Sequence, residues 1–206
     1  MRFQWPTAPQ DSLLYAASLL IGLCVTAVLM AVAANFVLAR GAGGVARRRR
    51  SPVATATMLA FAGGYYLLVH DKIGVWPLVD MRALVPLTLA GCALVVCGAA
   101  VNILGRLHLG SNWADQVTIY NEQGLVTTGV FGMVRHPLYA SLIWIFVGVA
   151  MAYHNAAALA AALCAFVPAM ALRARQEETL LAEAFPEYAA YQRAVGMLWP
   201  RLRRRR

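Results

Sequence analysis

The chain has 206 residues, of which 61% are apolar and only 13% charged, about half the charged share of an ordinary soluble domain. That balance excludes a conventional water-soluble enzyme, and the length fits one packed domain. The net charge of +9 clusters beside apolar runs, which points to anionic lipid headgroups at the basic loops and not to nucleic acid.

Met1–Gln10 lacks a strong basic cluster, and the apolar run behind it is too long for a signal-peptide core, so no cleavable signal is expected. Ser12–Ala39 is an uncharged run of 28 residues, long enough to cross a bilayer core of about 30 Å with some tilt. Arg40 and Arg47–Arg50 follow around a Gly-rich turn. Pro52–Val69 is a second spanning candidate, with Pro52 suited to a first helical turn. His70–Arg82 is a polar loop, and Ala83–Leu104 is a third apolar run. Gly105–Pro137 is polar and long for a connection, which marks it as functional. Leu138–Tyr153 and Ala156–Leu172 form a close helical hairpin joined at His154-Asn155. Arg173–Val195 reads as an amphipathic helix that Pro186 kinks or divides. Arg201 and Arg203–Arg206 make a basic tail. Cys24, Cys92, Cys97 and Cys164 lie in apolar runs without a Cys-x-x-Cys pair and read as small buried hydrophobes, so no metal site is expected from them.

The fold class is thus an all-α integral membrane protein of about five transmembrane helices. Residues 1–206 form one membrane domain. Residues 1–104 hold three spans; residues 105–206 hold a loop, the hairpin and the C-terminal helix. Alternating sides, one set of loops carries Arg40, Arg47–Arg50, Arg106, Arg135 and the C-terminal arginines, whereas the other carries Arg2, Lys72 and Arg82. The positive-inside rule makes the first set cytoplasmic.

Two polar patches bear chemistry. The first runs from Gly124 through Arg135-His136-Pro137 to Tyr139. The second is Arg173-Ala-Arg-Gln-Glu177-Glu178. Arg173 and Glu177 are four apart and share a helix face. They could form a surface ion pair; alternatively, Arg173 takes an anionic group while Glu177 takes an ammonium or a ribose hydroxyl. His136 could be a membrane-edge anchor, but it comes with Tyr139, a Gly-containing loop and a second ionic patch beyond the hairpin.

Leu125-Val-Thr-Thr-Gly-Val-Phe131, Arg135-His-Pro-Leu-Tyr139, Arg173-x-x-x-Glu177-Glu178, Phe185, Tyr188 and Tyr191 together resemble the isoprenylcysteine carboxyl methyltransferase and phospholipid methyltransferase superfamily. The likeness covers about Asn112–Pro200. It implies a membrane enzyme using S-adenosyl-L-methionine. It also implies cofactor contacts from Gln116, from Gln123, Gly124, Leu125 and Val126, from Phe131, from His136, Pro137, Leu138 and Tyr139, and from Glu177. Arg173 matches an arginine assigned to the reacting end of the acceptor; where the nucleophile must first lose a proton, His136 or a glutamate becomes the candidate base. Phe131 stands where relatives often carry Tyr, which removes a hydroxyl. The alanine- and arginine-rich composition suggests a bacterial source and so an inner membrane, the arginine distribution turns the site to the cytoplasm, and the resemblance implies a membrane lipid or amphiphilic small molecule as substrate.

Methyl transfer from a sulfonium is an in-line displacement that needs positioning and exclusion of water, and a polar loop closed over helix ends at the membrane edge supplies both. Two other classes stay open at this stage. One is a membrane steroid or enone reductase using a nicotinamide cofactor, which shares Arg-His-Pro-x-Tyr; the paired Glu177-Glu178 favours the methyltransferase. The other is a lipid-binding bundle without catalysis. The acceptor, a carboxylate, an amine or a small amphiphilic thiol, is not legible.

Overall fold

The computed structural model describes residues 9–38, 45–49, 52–76, 81–110, 117–120 and 124–201. Among these, seven α-helices follow in order: α1 Pro9–Leu38, α2 Pro52–His70, α3 Met81–Leu109, α4 Pro137–Ala152, α5 Ala156–Ala161, α6 Val167–Ala184 and α7 Tyr188–Ala194. A π-helical turn, Ala162–Phe166, joins α5 to α6. The fold is all-helical apart from two short strands that sequence reading did not foresee, β1 Val45–Arg49 and β2 Val117–Tyr120, which pair antiparallel. The basic tail beyond Arg201 lies outside the described residues.

Among the described residues, three helices are long and apolar enough to cross a membrane, Asp11–Asn35, Arg82–Leu109 and Ala156–Ala184, and two shorter apolar ones, Ala56–His70 and Pro137–Ala152, accompany them. The 16 residues of α4 extend about 24 Å, somewhat less than a bilayer core of about 30 Å. The hairpin forms as expected. Pro137 opens α4 at its first turn, where a missing N–H costs nothing. His154 takes a left-handed φ of 52° in the turn, and Asn155 caps α5 by accepting from the Ala158 amide at 2.8 Å.

The expected boundary between a span ending at Leu172 and a separate helix beginning at Arg173 is not found. Ala156–Ala184 is one rod of 29 residues, because Arg173–Glu183 contains no helix breaker and simply carries the helix out of its apolar zone. The division falls at Pro186, which disfavours helical geometry in the residue before it; Phe185 is extended, with φ −124° and ψ 104°. The cysteines also differ from expectation. Cys92 is buried, whereas Cys97 and Cys164 are exposed, since the outward face of an apolar helix in this fold meets lipid and not protein.

Contacts between connections sort the fold into two ends. At one, β1 pairs with β2, and the segment before α4 meets the segment after α7 through the Val134–Gly196 bridge. At the other, Val75 bridges Asn155, and the Asn155 side-chain amide donates to the Leu68 carbonyl at 3.0 Å. Helices α2, α4 and α6 therefore each have one end in the first group, where the Arg-His-Pro segment lies.

Helices α3 and α4 form the central seam, and they approach closely because glycines line it. A Cβ on Gly91 would stand 2.5 Å from the Gly148 carbonyl oxygen, and one on Gly148 would stand 2.6 Å from the Gly91 oxygen. Small residues of this kind let helix backbones pack in a membrane, where burial of apolar surface gives no drive between helices. Gly91→Val or Gly148→Val is expected to cost about 1–3 kcal/mol through overpacking, read as a lower thermal midpoint in detergent. Gly63→Ala, at a helical position with nothing within 4 Å, should leave the midpoint unchanged or slightly raised.

Candidate active site

Two carboxylates on α6 meet the segment that opens α4. Arg135 donates from Nε to Glu178 Oε1 at 2.8 Å, with Nη2 at 2.7 Å from the same oxygen. Its Nη1 donates to the carbonyls of Gln192 and Val195 at the end of α7. His136 stands between the carboxylates: Nε2 is 3.2 Å from Glu178 Oε1 and Nδ1 is 3.3 Å from Glu177 Oε2. Gln192 closes the set by donating to Glu178 Oε2 at 3.0 Å. Both side chains of the Arg135–Glu178 pair are nearly withdrawn from solvent, at 7% and 10% exposure. The Glu177 side chain keeps 25%.

Backbone geometry fixes this arrangement before any side chain acts. The amides of Arg135 and His136 donate to the carbonyls of Gly196 and Met197 at 2.8 and 3.0 Å, so the chain after α7 runs alongside the start of α4. Behind it, a polar ladder ties α4 to α3. Arg106 Nε donates to Asn102 Oδ1 at 2.9 Å, Asn102 Nδ2 to Ser141 Oγ at 2.8 Å, and Ser141 Oγ to the Leu138 carbonyl at 2.8 Å. Polar groups at this depth hold helices together because water is not there to take them.

Tyr139 and Arg173 build the outer part. The Tyr139 hydroxyl donates to Glu177 Oε1, and its ring stacks on the His136 imidazole with centroids 5.7 Å apart. The Arg173 guanidinium lies 5.9 Å from the Tyr139 ring centre and donates to Met58 Sδ of α2 at 3.0 Å. The ion pair that the Arg173–Glu177 spacing permits is not the arrangement found among the described residues: Tyr139 and His136 take Glu177, and Arg173 turns toward the aromatic face and α2.

Of the residues expected to contribute, the structure brings His136, Tyr139, Glu177 and Arg173 into one cluster. Pro137 is buried in the first turn of α4, and Leu138 packs against Gly105 of α3. Phe131 is buried in a 3-10 turn, Gly129–Gly132, and its carbonyl accepts from the Tyr191 hydroxyl at 2.7 Å. Burial pushes that hydroxyl up to about 12, so it stays a donor. Gly124, Leu125 and Val126 form the irregular segment leading into this turn. Gln116 and Gln123 lie outside the described residues. Sequence reading missed the structural weight of Arg135 and Glu178, and it missed Gln192 and Met58 altogether. Arg135 and Glu178 were visible as motif members, but neither Gln192, beyond a helix break, nor Met58, on another helix, carries a local signal.

Burial opposes charge on His136, but hydrogen bonds and charge from Glu177 and then Glu178 outweigh it, and the imidazole's affinity for its proton is raised. With both nitrogens facing carboxylates, His136 acts as a cationic link between Glu177 and Glu178. Among the described residues no group of three His, Cys, Asp or Glu side chains could hold a metal ion.

The fold and site define an integral membrane protein whose polar centre is assembled at one end of a helical hairpin. The model of the isoprenylcysteine carboxyl methyltransferase family matches residues 90–183. The chain is 32% identical over 150 residues to the nickel-cobalt-cadmium resistance protein NccN of Alcaligenes xylosoxydans xylosoxydans, covering 66% of this chain and 67% of that protein. It is 29% identical over 147 residues to the cobalt-zinc-cadmium resistance protein CzcN of Cupriavidus metallidurans, covering 66% of each. It is 30% identical over 113 residues to the protein-S-isoprenylcysteine O-methyltransferase of Saccharomyces cerevisiae, covering 53% of this chain and 47% of the yeast protein. The chain belongs to the isoprenylcysteine carboxyl methyltransferase family, a family of membrane methyltransferases. Its matches span about two thirds of the length of the two resistance proteins and about half of the yeast enzyme.

Removing one member of a buried ion pair strands the other, at a cost of about 3–5 kcal/mol. Arg135→Ala and Glu178→Gln should each lower the unfolding midpoint in detergent strongly, and the double variant should lose less than the sum of the two. For His136 the raised folded-state value fixes the sign. Its stabilising charge is present in full below the ordinary imidazole value of 6.5 and is lost as pH rises through the higher folded-state value. The stability gap between the native chain and His136→Gln is expected to be widest at mildly acid pH and to narrow on the alkaline side, as measured by thermal unfolding across pH.

Proposed function

We propose that the protein is an S-adenosyl-L-methionine-dependent methyltransferase acting at the cytoplasmic face of a bacterial inner membrane. Its acceptor is lipidic or prenylated and carries a carboxylate or an amine. The observation that carries this reading is the convergence of Arg135-His136 and Tyr139 with Glu177 and Glu178, within a chain of this family. Cytoplasmic placement rests on the arginines, because Arg47–Arg49 in β1 and Arg135 belong to the same end of the fold.

The donor chemistry fits the cofactor. Glu177 is the carboxylate left partly open, so it is the group available to an ammonium or a ribose hydroxyl; Glu178 is consumed by Arg135, His136 and Gln192. Bound there, the cofactor would supply a methyl group carried on a positive sulfur, and Glu177 would be the carboxylate that holds it. Tyr139 and His136 hold Glu177 in place beforehand, so little reorganisation is needed on binding. Arg173, braced by Met58 and Tyr139 and outside the ion pairs of Glu177 and Glu178, is the fork offered to an anionic acceptor group. A carboxylate nucleophile needs no base. An amine must first lose a proton, and His136, already protonated between two carboxylates, is poorly placed to take it; the geometry thus favours a carboxylate.

Calorimetry of the purified chain in detergent tests the assignment with S-adenosyl-L-methionine and its demethylated product. Glu177→Gln is expected to weaken binding at least about tenfold, or about 1.4 kcal/mol, whereas Arg48→Ala in β1 leaves it unchanged. Arg173→Lys should keep cofactor affinity and lose turnover on the order of a hundredfold, the usual effect of removing an oriented donor from a reaction centre. No binding of either nucleoside by the native chain overturns the reading, and normal turnover in Arg173→Lys removes Arg173 from the acceptor site.

A further inference from the structure

The geometry points to an acceptor with a short apolar portion, whose length is set by an aromatic cluster between α2, α4 and α6; this rests on the methyltransferase reading of the site above. The three helices that present Met58, Tyr139 and Arg173 run inward from the site on the same side. Three or four residues deeper on each stand Phe61, Ile143 and Met170, about 5 Å below at 1.5 Å per residue. Seven residues deeper on each stand Tyr65, Phe146 and Phe166, about 10 Å below. The spacing of seven keeps each of these residues on the same face of its helix as the site residue above it.

These layers are filled. Met170 and Ile143 are each 1% exposed and Phe166 is 3% exposed, and they share one apolar cluster with Met58, Phe61, Tyr139 and Phe146. The rings lock across helices. Phe61 stacks on Phe166 with centroids 4.8 Å apart and meets Phe146 edge-on at 5.3 Å, and Phe146 meets Phe166 at 4.6 Å. Aromatic pairs at these distances hold beyond simple area burial. The Tyr65 hydroxyl donates to the Phe146 carbonyl and fastens α2 to α4 at the same depth. Phe166 enters this cluster from the π-helical turn Ala162–Phe166. Pro168 has no N–H for the Cys164 carbonyl, and wider turns of this kind shift which residues face inward, often beside functional sites.

An anionic group at Arg173 has its apolar part directed toward this packed column. A chain entering the column must first displace Ile143 and Met170, and a longer one must displace Phe166 as well, so a short chain disturbs the packing least. The acceptor class that fits is a small carboxylate-bearing amphiphile, and a long prenyl chain is disfavoured in the native protein.

The full chain in detergent, loaded with S-adenosyl-L-methionine, is offered N-acetylcysteine S-alkylated with butyl, octyl or farnesyl. Binding is measured by calorimetry, and methyl transfer by labelled ester formation. The butyl acid is expected to exceed the farnesyl acid at least tenfold in affinity and in kcat/KM. Phe166→Ala should shrink or reverse that ratio by at least tenfold with cofactor affinity unchanged. Phe61→Leu, at a half-buried position, should move it the same way if Phe166→Ala does not fold. Farnesyl preference in the native chain, equal or absent binding of all three acids, or a Phe166 and Phe61 effect that is uniform across chain lengths overturns the inference. If the acids bind in the expected order but none is methylated, the methyltransferase reading falls and the length selection stands.

Discussion

The buried pair between Arg135 and Glu178 is the contact on which the site depends. It joins three pieces of chain that sequence separates widely: the segment before α4, the outer half of α6, and the end of α7. A guanidinium and a carboxylate withdrawn from solvent this far are tolerable only when their remaining donors and acceptors are taken. Here His136, Gln192 and two backbone carbonyls take them. The pair is therefore less a source of net stability than a constraint: with one partner displaced, the other is stranded at the membrane edge, so the helix ends have few other ways to meet.

That constraint leaves two neighbouring glutamates with different work. Glu178 faces inward and is saturated. Glu177, one residue earlier, is turned about 100° around the helix and stays partly open, held by Tyr139 and His136. Arg173, one turn earlier, is steered away from Glu177 by the tyrosine between them and braced by Met58. A cation, an anion and an aromatic face are thus presented side by side without neutralising one another. The same helix then runs down into the column closed by Phe166, so headgroup chemistry and apolar selection are arranged along one rod.

The resistance proteins and the yeast enzyme that resemble this chain carry different printed roles. The residues 90–183 matched by the family model begin in α3 and end in α6. They therefore include the glycine-lined seam of α3 and α4, the Arg-His-Pro segment and the paired glutamates. Helices α1 and α2 lie outside that match, yet α2 supplies Met58, Phe61 and Tyr65 against the hairpin. Helix α2 thus borders the Arg173 side of the cluster from outside the matched range.

What the sequence determined by itself is what local physics writes into it. Uncharged runs specify apolar helices. Pro137 and His154-Asn155 specify where the hairpin starts and turns, and Pro186 specifies where its second arm stops. The arginine distribution sorts the loops, and the motif residues between Arg135 and Glu178 are legible because their spacing brackets one hairpin. Three matters were decided only by tertiary structure. The helix from Ala156 continues through Arg173, because composition changes there while helical geometry does not. Strands β1 and β2 exist only as each other's partners, far apart in sequence. Finally, the four-residue spacing of Arg173 and Glu177 allowed an ion pair, and Tyr139 and Met58, from two other helices, decided against it: spacing fixes which side chains can meet, but a polar group near a membrane goes to whichever partner the packing leaves within reach.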